Sequence, residues 1–282
     1  MEEKKRSLIS YIAQMTRGNV ALAFSGGVDS ALLLKLLCEA AKENHTEVYA
    51  ITIQTRLHPA GDLPVARQVA EEMGAHHLVI EADELLEAGI EDNPIDRCYR
   101  CKKCLFQKVI AKAKEVGATF ILDGTNADDL TVYRPGIKAL RELGIESPLA
   151  VFGFSKEEVR ALAKEYEVSV ASRPSTPCMA TRLPYGASIS YELLAKLDEG
   201  ERWFREQGYY NVRLRFHDPI LRIEVDADTM VRLVSDRFLV ISRMKEIGFF
   251  YITLDLEGFR SGSMDLFVEK SKYPVENFKR KY

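Results

Sequence analysis

The stretch NVALAFSGGVDSALLLKLLCEAAKE, residues 19–43, constrains the fold more than any other part of the chain. Its opening NVALAF (19–24) is an apolar run of strand length. Its closing SALLLKLLCEAAKE (30–43) carries leucine and alanine at helical spacing. Only FSGGVDS, residues 24–30, joins them. A strand that runs straight into a helix folds that helix back across a sheet, and such units build parallel sheets. The joining loop then lies at the carboxyl end of the strand, with the helix start facing it. Gly26 and Gly27 let the backbone approach an anion closely, Ser25 and Ser30 add hydroxyls, and the helix start offers unpaired N–H groups. The loop lacks both the lysine of a Walker A sequence and the spacing of a dinucleotide fingerprint.

The rest of the first half repeats the alternation. EVYAITI (47–53), HHLVIEA (76–82) and TFILDG (119–124) read as strands, while PVARQVAEEMGA (64–75) and CKKCLFQKVIAKAKEVG (101–117) read as helices. The rhythm predicts an α/β domain, a parallel sheet with helices on both faces. Ser155 and Glu158 stand at capping-box spacing and open a further helix over 155–168. From about residue 187 the pattern becomes helix (191–208), an antiparallel strand pair (211–217 and 220–225), helix (226–248) and strand (250–256). That is a small α+β domain. The proline-rich PSTPCMATRLPYGAS (174–188) marks the boundary, giving domains 1–186 and 187–282. The basic tail EKSKYPVENFKRKY (269–282) is expected to fray.

A chain of 282 residues with net charge -3 shows no basic excess for bulk nucleic-acid binding. It has no apolar signal core and no run of ~18 apolar residues, so a cytoplasmic protein without a membrane span is expected. In that reducing setting the five cysteines are not expected to pair as disulfides. Three of them, Cys98, Cys101 and Cys104, recur every third residue in RCYRCKKC, and Cys178 lies in the boundary loop. Cys38 sits in an apolar helix and reads as a small core residue. For the other four, three readings stand open: structural zinc, thiols without metal, or a [4Fe–4S] cluster on three of them with one iron open.

SGGVDS resembles the PP-loop of the N-type ATP pyrophosphatases. The resemblance implies that Gly26, Gly27 and Ser30, with Ser25, cradle the phosphates of ATP, that Asp29 helps hold Mg²⁺, and that AMP is transferred to a substrate oxygen. Adding RCYRCKK, DGTNADD with YRPG (133–136), PCMATRLPYG (177–186), RLRFH (213–217) and LDLEGFRSG (254–262), nearly the whole chain resembles the LarE-type ATP-dependent sulfur transferases. These adenylylate a carboxylate of pyridinium-3,5-biscarboxylic acid mononucleotide and convert it to a thiocarboxylate, for the nickel-pincer cofactor of lactate racemase. Some members sacrifice the sulfur of one cysteine, and others carry three active-site cysteines with a [4Fe–4S] cluster. The resemblance places this chain in the cluster branch, with Cys98, Cys101 and Cys178 as ligands and Cys104 as an extra thiol. It implies a homo-oligomer, such as a hexamer.

Arg213 and Arg215 alternate with leucine on one strand, so they share a face. With Arg260 they are candidates to bind the phosphate and carboxylates of the substrate; the alternative is a solvated sheet face. Arg182 follows Cys178 and is a candidate to neutralise the adenylate. The resemblance implies a metal- or phosphate-binding role for Glu201 and Glu224. His217 reads as structural. Two rival functions remain: another PP-loop adenylylation such as tRNA thiolation, and a zinc-stapled nucleotide-sensing module without catalysis.

Overall fold

Val20, Ala21 and Leu22 have no solvent exposure at all, because the strand they form, β1 (Val20–Ala23), is covered on both faces. This computed structural model describes residues 1–59, 61–131, 134–174, 176–260 and 262–265. The chain divides into two compact units, residues 1–90 with 96–176, and residues 91–95 with 177–282. The second unit thus begins at Pro177 rather than at 187, and takes in a short segment from the first half.

In the first unit α1 (Glu2–Met15) leads into β1, α2 (Val28–Asn44), β2 (Val48–Gln54), α3 (Asp62–Met73) and β3 (His76–Glu81). After α4 (Glu84–Ala88) and α5 (Arg97–Glu115) the chain enters β4 (Phe120–Leu122), then α6 (Gly136–Glu142), α7 (Pro148–Val151) and α8 (Lys156–Glu165). The four strands are parallel in the order β3-β2-β1-β4. Alternation along β1 sends Val20 and Leu22 into a core with α1, α2, α3 and α8, and Ala21 into a second core with α5. Helices therefore cover both faces, as expected for an α/β sheet. Because β1 has β2 on one side and β4 on the other, the chain reverses direction across the sheet there. A ligand crevice opens beyond the carboxyl ends of β1 and β4 at such a switch point.

The helix of the CKKC segment begins four residues earlier than its pattern suggested, at Arg97, so it carries Cys98 as well as Cys101 and Cys104. The Ser155 box forms as read: its hydroxyl accepts from the Glu158 amide at 3.2 Å, and the Glu158 carboxylate accepts from the Ser155 amide at 2.9 Å.

In the second unit α9 (Tyr191–Glu206) precedes β5 (Val212–His217) and β6 (Ile220–Val225), which pair antiparallel. The continuous helix expected over 226–248 is broken at Asp236 into α10 (Met230–Ser235) and α11 (Arg237–Ile247). β7 (Tyr251–Leu254) then pairs with β6 in parallel. This sheet has two unlike faces. Val212, Leu214, Leu221, Ile223 and Val225 are buried on one, beneath α9 and α11. An added Cβ on Gly200 of α9 would lie 2.4 Å from Leu214 Cδ1, so the helix seats on the strand only because that residue is glycine. The other face carries Arg213 opposite Glu224 and Arg215 opposite Arg222. The tail 269–282 lies outside the described residues.

Candidate active site

The phosphate loop leaves β1 at Phe24 and enters α2 at Val28. Gly26 has φ +70°, and an added Cβ there would meet the Ala66 backbone of α3 at 2.9 Å. Both the conformation and the space require glycine. Ser30 donates its hydroxyl to the Gly27 carbonyl at 3.1 Å and lies 3.3 Å from the Ser25 hydroxyl, while Ser25 accepts from the Gly27 amide at 3.3 Å. The two serines thus fold the loop over the first turn of a 17-residue helix, whose free N–H groups and positive dipole end favour an anion.

Asp29 is held from the far side of the crevice. Asn126, in the loop after β4, donates to it at 3.0 Å, and the Lys156 ammonium forms an ion pair with it. Lys156 is the first residue of α8, and its amide donates to Asp128 at 2.8 Å. Each Asp29 oxygen keeps a free lone pair beside its bound donor, so a hard cation such as Mg²⁺ fits there together with phosphate oxygens. Asp123, at the end of β4, accepts from Thr125 Oγ1 at 2.6 Å and Ser147 Oγ at 2.5 Å. Arg173 donates to the Gly26 carbonyl at 3.4 Å and pairs with Asp62 at 2.7 Å, bracing the loop from behind. Sequence reasoning assigned Ser25, Gly26, Gly27, Asp29 and Ser30, and missed Lys156, Asn126, Asp123 and Arg173. A signal for Lys156 was present in SKEE, where a capping box presents its second residue at a helix start.

Cys98 is exposed, and Cys101 and Cys104 are half-buried, all on the first two turns of α5. Cys98 and Cys101 stand one turn apart on neighbouring positions of the helix surface, an arrangement suited to two corners of an iron–sulfur cluster. The third ligand implied by the resemblance, Cys178, belongs to the second unit, half-buried at the start of the short turn Met179–Arg182. Among the described residues no group of three His, Cys, Asp or Glu stands ready to hold a metal ion. Burial pushes the Cys104 thiol up, with Glu87 adding to it. Cys38 is 5% exposed in the core, and burial raises its pKa to about 11.

In the second unit the arginines are not on a solvated face. Arg213 is 7% and Arg215 5% exposed. Arg215 donates to Glu224 at 3.0 Å and to the Thr181 carbonyl at 2.9 Å. Arg213 lies over the Phe259 ring at 5.1 Å. Burial first, and then neighbouring Arg182, hold the Arg213 pKa down to about 10. Arg182 is sealed from solvent and grips Glu201 with two bonds of 2.7 and 2.8 Å. It was expected at the adenylate; here it ties the Cys178 turn to α9. Burial alone would raise the Glu201 carboxyl, but Arg182, with Arg213 and the Leu214 amide, pulls it below its usual value. Glu224 accepts from Arg215, Arg222 and Ser263. Both glutamates, expected at a metal or phosphate, each pair with two arginines here. Arg260 pairs with Asp255 at 3.2 Å and with Glu257. His217 shares the strand face of Arg213 and Arg215, and its buried Nε2 has no hydrogen-bond partner among the described residues. Burial, then Arg222 and Arg215, lower its pKa. Among the described residues on this side, Arg182, Arg213 and Arg215 are buried together with Glu201 and Glu224.

A phosphate loop at the switch point of a parallel sheet, with a lysine–aspartate pair across the crevice, defines an enzyme that acts on ATP through a PP-loop. The asparagine synthase family model matches residues 12–173, more than half of the chain. The pyridinium-3,5-bisthiocarboxylic acid mononucleotide synthase of Lactiplantibacillus plantarum is 33% identical over 95% of this chain and 96% of its own length. An uncharacterised protein of Synechocystis sp. is 34% identical over 96% of this chain and 100% of its own. A tRNA-specific 2-thiouridylase of Rickettsia bellii is 26% identical over 57% of this chain and 53% of its own. The chain belongs to the LarE-type ATP-dependent sulfur transferases of the PP-loop superfamily. It is therefore an enzyme of that class, which sets aside the non-catalytic sensing module. No helix of the described residues is long and apolar enough to cross a membrane.

Proposed function

We propose that the chain adenylylates a carboxylate of pyridinium-3,5-biscarboxylic acid mononucleotide and exchanges the AMP for sulfur. In the first step a carboxylate oxygen attacks the α-phosphorus of ATP. The bond from that phosphorus to the bridging oxygen breaks, and pyrophosphate leaves with the electron pair. In the second step a sulfur nucleophile adds to the acyl carbon, the carbon–oxygen bond to AMP breaks, and AMP leaves. The product is a thiocarboxylate, and no group changes oxidation state at the carbon. The observation that carries the reading is the crevice itself. The amides of the SGGVDS loop at the start of α2, with Ser25 and Ser30, suit the pyrophosphate, while Lys156 and a cation on Asp29 offset the charge that develops as it leaves.

Arg213 and Arg215, set on one face of β5, support an anionic mononucleotide there, with Arg260 as a further ligand. Cys98, Cys101 and Cys178 would hold a [4Fe–4S] cluster, which when bound supplies a renewable sulfide. The active form in this reading is a homo-oligomer.

The test combines two readouts with ATP, Mg²⁺ and the biscarboxylate substrate: pyrophosphate release, and the mass of the product. Asp29→Ala should lose about 100-fold in substrate-dependent pyrophosphate release while remaining folded. Unchanged release would remove the loop from the mechanism. Cys98→Ala, Cys101→Ala and Cys178→Ala should keep pyrophosphate release and lose thiocarboxylate formation. If turnover stops at one product per chain and Cys178 loses the mass of H₂S, Cys178 itself is the donor and the cluster assignment is wrong.

A further inference from the structure

Two lysines enter the nucleotide crevice, and they are held in opposite ways. Lys156 is bound directly to Asp29. Lys102, one residue after Cys101 on α5, reaches Asp123 at the carboxyl end of β4, but at 3.7 Å, an ion pair without a hydrogen bond. Asp123 does not need it as a donor, since Thr125 Oγ1, the Thr125 amide and Ser147 Oγ already supply three. The Lys102 ammonium makes no hydrogen bond to any described residue, yet its stem is fixed. Its Nζ lies 5.1 Å from the centre of the Phe106 ring one turn on. Its Cδ runs so close to Gly136, the first residue of α6, that an added Cβ there would stand 3.1 Å from it. Asp123 is next to Gly124, where an added Cβ would lie 2.9 Å from the Ser30 amide of the phosphate loop. The ammonium is thus placed beside the loop with none of its three N–H donors hydrogen-bonded among the described residues.

We propose that Lys102 is a second phosphate-directed cation of the crevice, donating to the nucleotide during adenylylation, and that Gly136 is a positioning residue that leaves room for its stem. This assigns a task to Gly136 of the RPG segment, where α6 begins, which the phosphate loop and the thiols leave unexplained. Lys102 also places a cation for the adenylate on the same helix as Cys98 and Cys101. The inference rests on the adenylylation reading above.

The test uses the full-length enzyme, ATP, Mg²⁺ and the biscarboxylate substrate, with pyrophosphate release, ATP affinity and thermal unfolding followed together. Lys102→Met should lower kcat for pyrophosphate release by about 10- to 100-fold, the range for losing one charge-assisted bond, with little change in melting temperature. Lys102→Arg should recover part of it. Gly136→Ala should lower kcat several-fold through displacement of the stem. In a Lys102→Met background the same Gly136→Ala change should have no further effect on kcat, because no ammonium is left to misplace. A merely structural Lys102 predicts instead a fall in melting temperature and additive losses in the double variant, and either result overturns the proposal. So does a Lys102→Met enzyme with wild-type kcat. If the unmodified enzyme releases no pyrophosphate with this substrate, the adenylylation reading fails first and the proposal falls with it.

Discussion

Replacing Arg213 by methionine should leave the free protein as stable as before or more so, while crippling its use of the anionic substrate. Most buried residues of this size behave in the opposite way. Arg213 is 7% exposed, and its pKa is held at about 10, below its ordinary 12.5, by burial and then by Arg182. A depression from 12.5 to about 10 corresponds to roughly 3 kcal/mol by which the fold disfavours the charged form. The sign is clear: a base whose folded pKa lies below its unfolded one is penalised at every pH under about 10. The contacts that offset it include that with Phe259 at 5.1 Å, worth about 1 kcal/mol, and the 2.7 Å bond to the Val212 carbonyl, worth a similar amount. Methionine keeps the apolar stem. The penalty exceeds these two contacts by about 1 kcal/mol, so the expected melting temperature is unchanged or raised by roughly 2–4 °C.

The assay is thermal unfolding of wild type and Arg213→Met, with and without millimolar phosphate or the mononucleotide, beside the KM for each substrate. Wild type should gain stability from the anion and the variant should not. The KM for the mononucleotide should rise about 10- to 100-fold in the variant and the KM for ATP far less. If Arg213→Met loses about 3–5 kcal/mol instead, the arginine completes a self-sufficient ion network. The argument that burial leaves the Arg213 charge at a net cost in the free protein is then refuted.

Two further outcomes follow from packing and from thiol burial. Gly200→Ala places a methyl 2.4 Å from Leu214 Cδ1 and should cost about 1–3 kcal/mol of stability in the second unit, read by chemical denaturation; a neutral result would mean that α9 can lift from β5. In cluster-free protein, iodoacetamide at pH 8 should label exposed Cys98 ahead of Cys104, whose thiol is raised by burial, and should reach Cys38, at about 11, only on unfolding. Peptide mapping with Cys38 modified as fast as Cys98 would contradict its place in the core.

What the sequence disclosed, and what it withheld, divide along one line. Local chemistry was legible. A strand, two glycines and a leucine-rich helix in succession admit few folds, and the parallel sheet and phosphate loop follow from them. The capping box at Ser155 was equally plain, since both of its bonds span only three residues. Pairings set by the fold were not legible. Lys156 meets Asp29 across 127 positions of chain, and Asn126 reaches it across 97. No spacing rule connects residues so far apart; the switch point of the sheet brings them together.

The arginines show the same limit from the other side. Alternation with leucine placed Arg213 and Arg215 on one face of a strand, and it could not say whether that face met water. Burial decided it, and burial depends on what covers the sheet. Once both are nearly sealed, their meaning changes. A solvated arginine needs no explanation, whereas a sealed guanidinium group has given up water and must be held by groups that the fold supplies. The same logic reads the glutamates. Glu201 and Glu224 stand where the resemblance implied metal or phosphate, and each accepts from two arginines. In the proposed reading they hold those arginines rigid, so that a substrate anion would meet donors already aimed and lose little in ordering them.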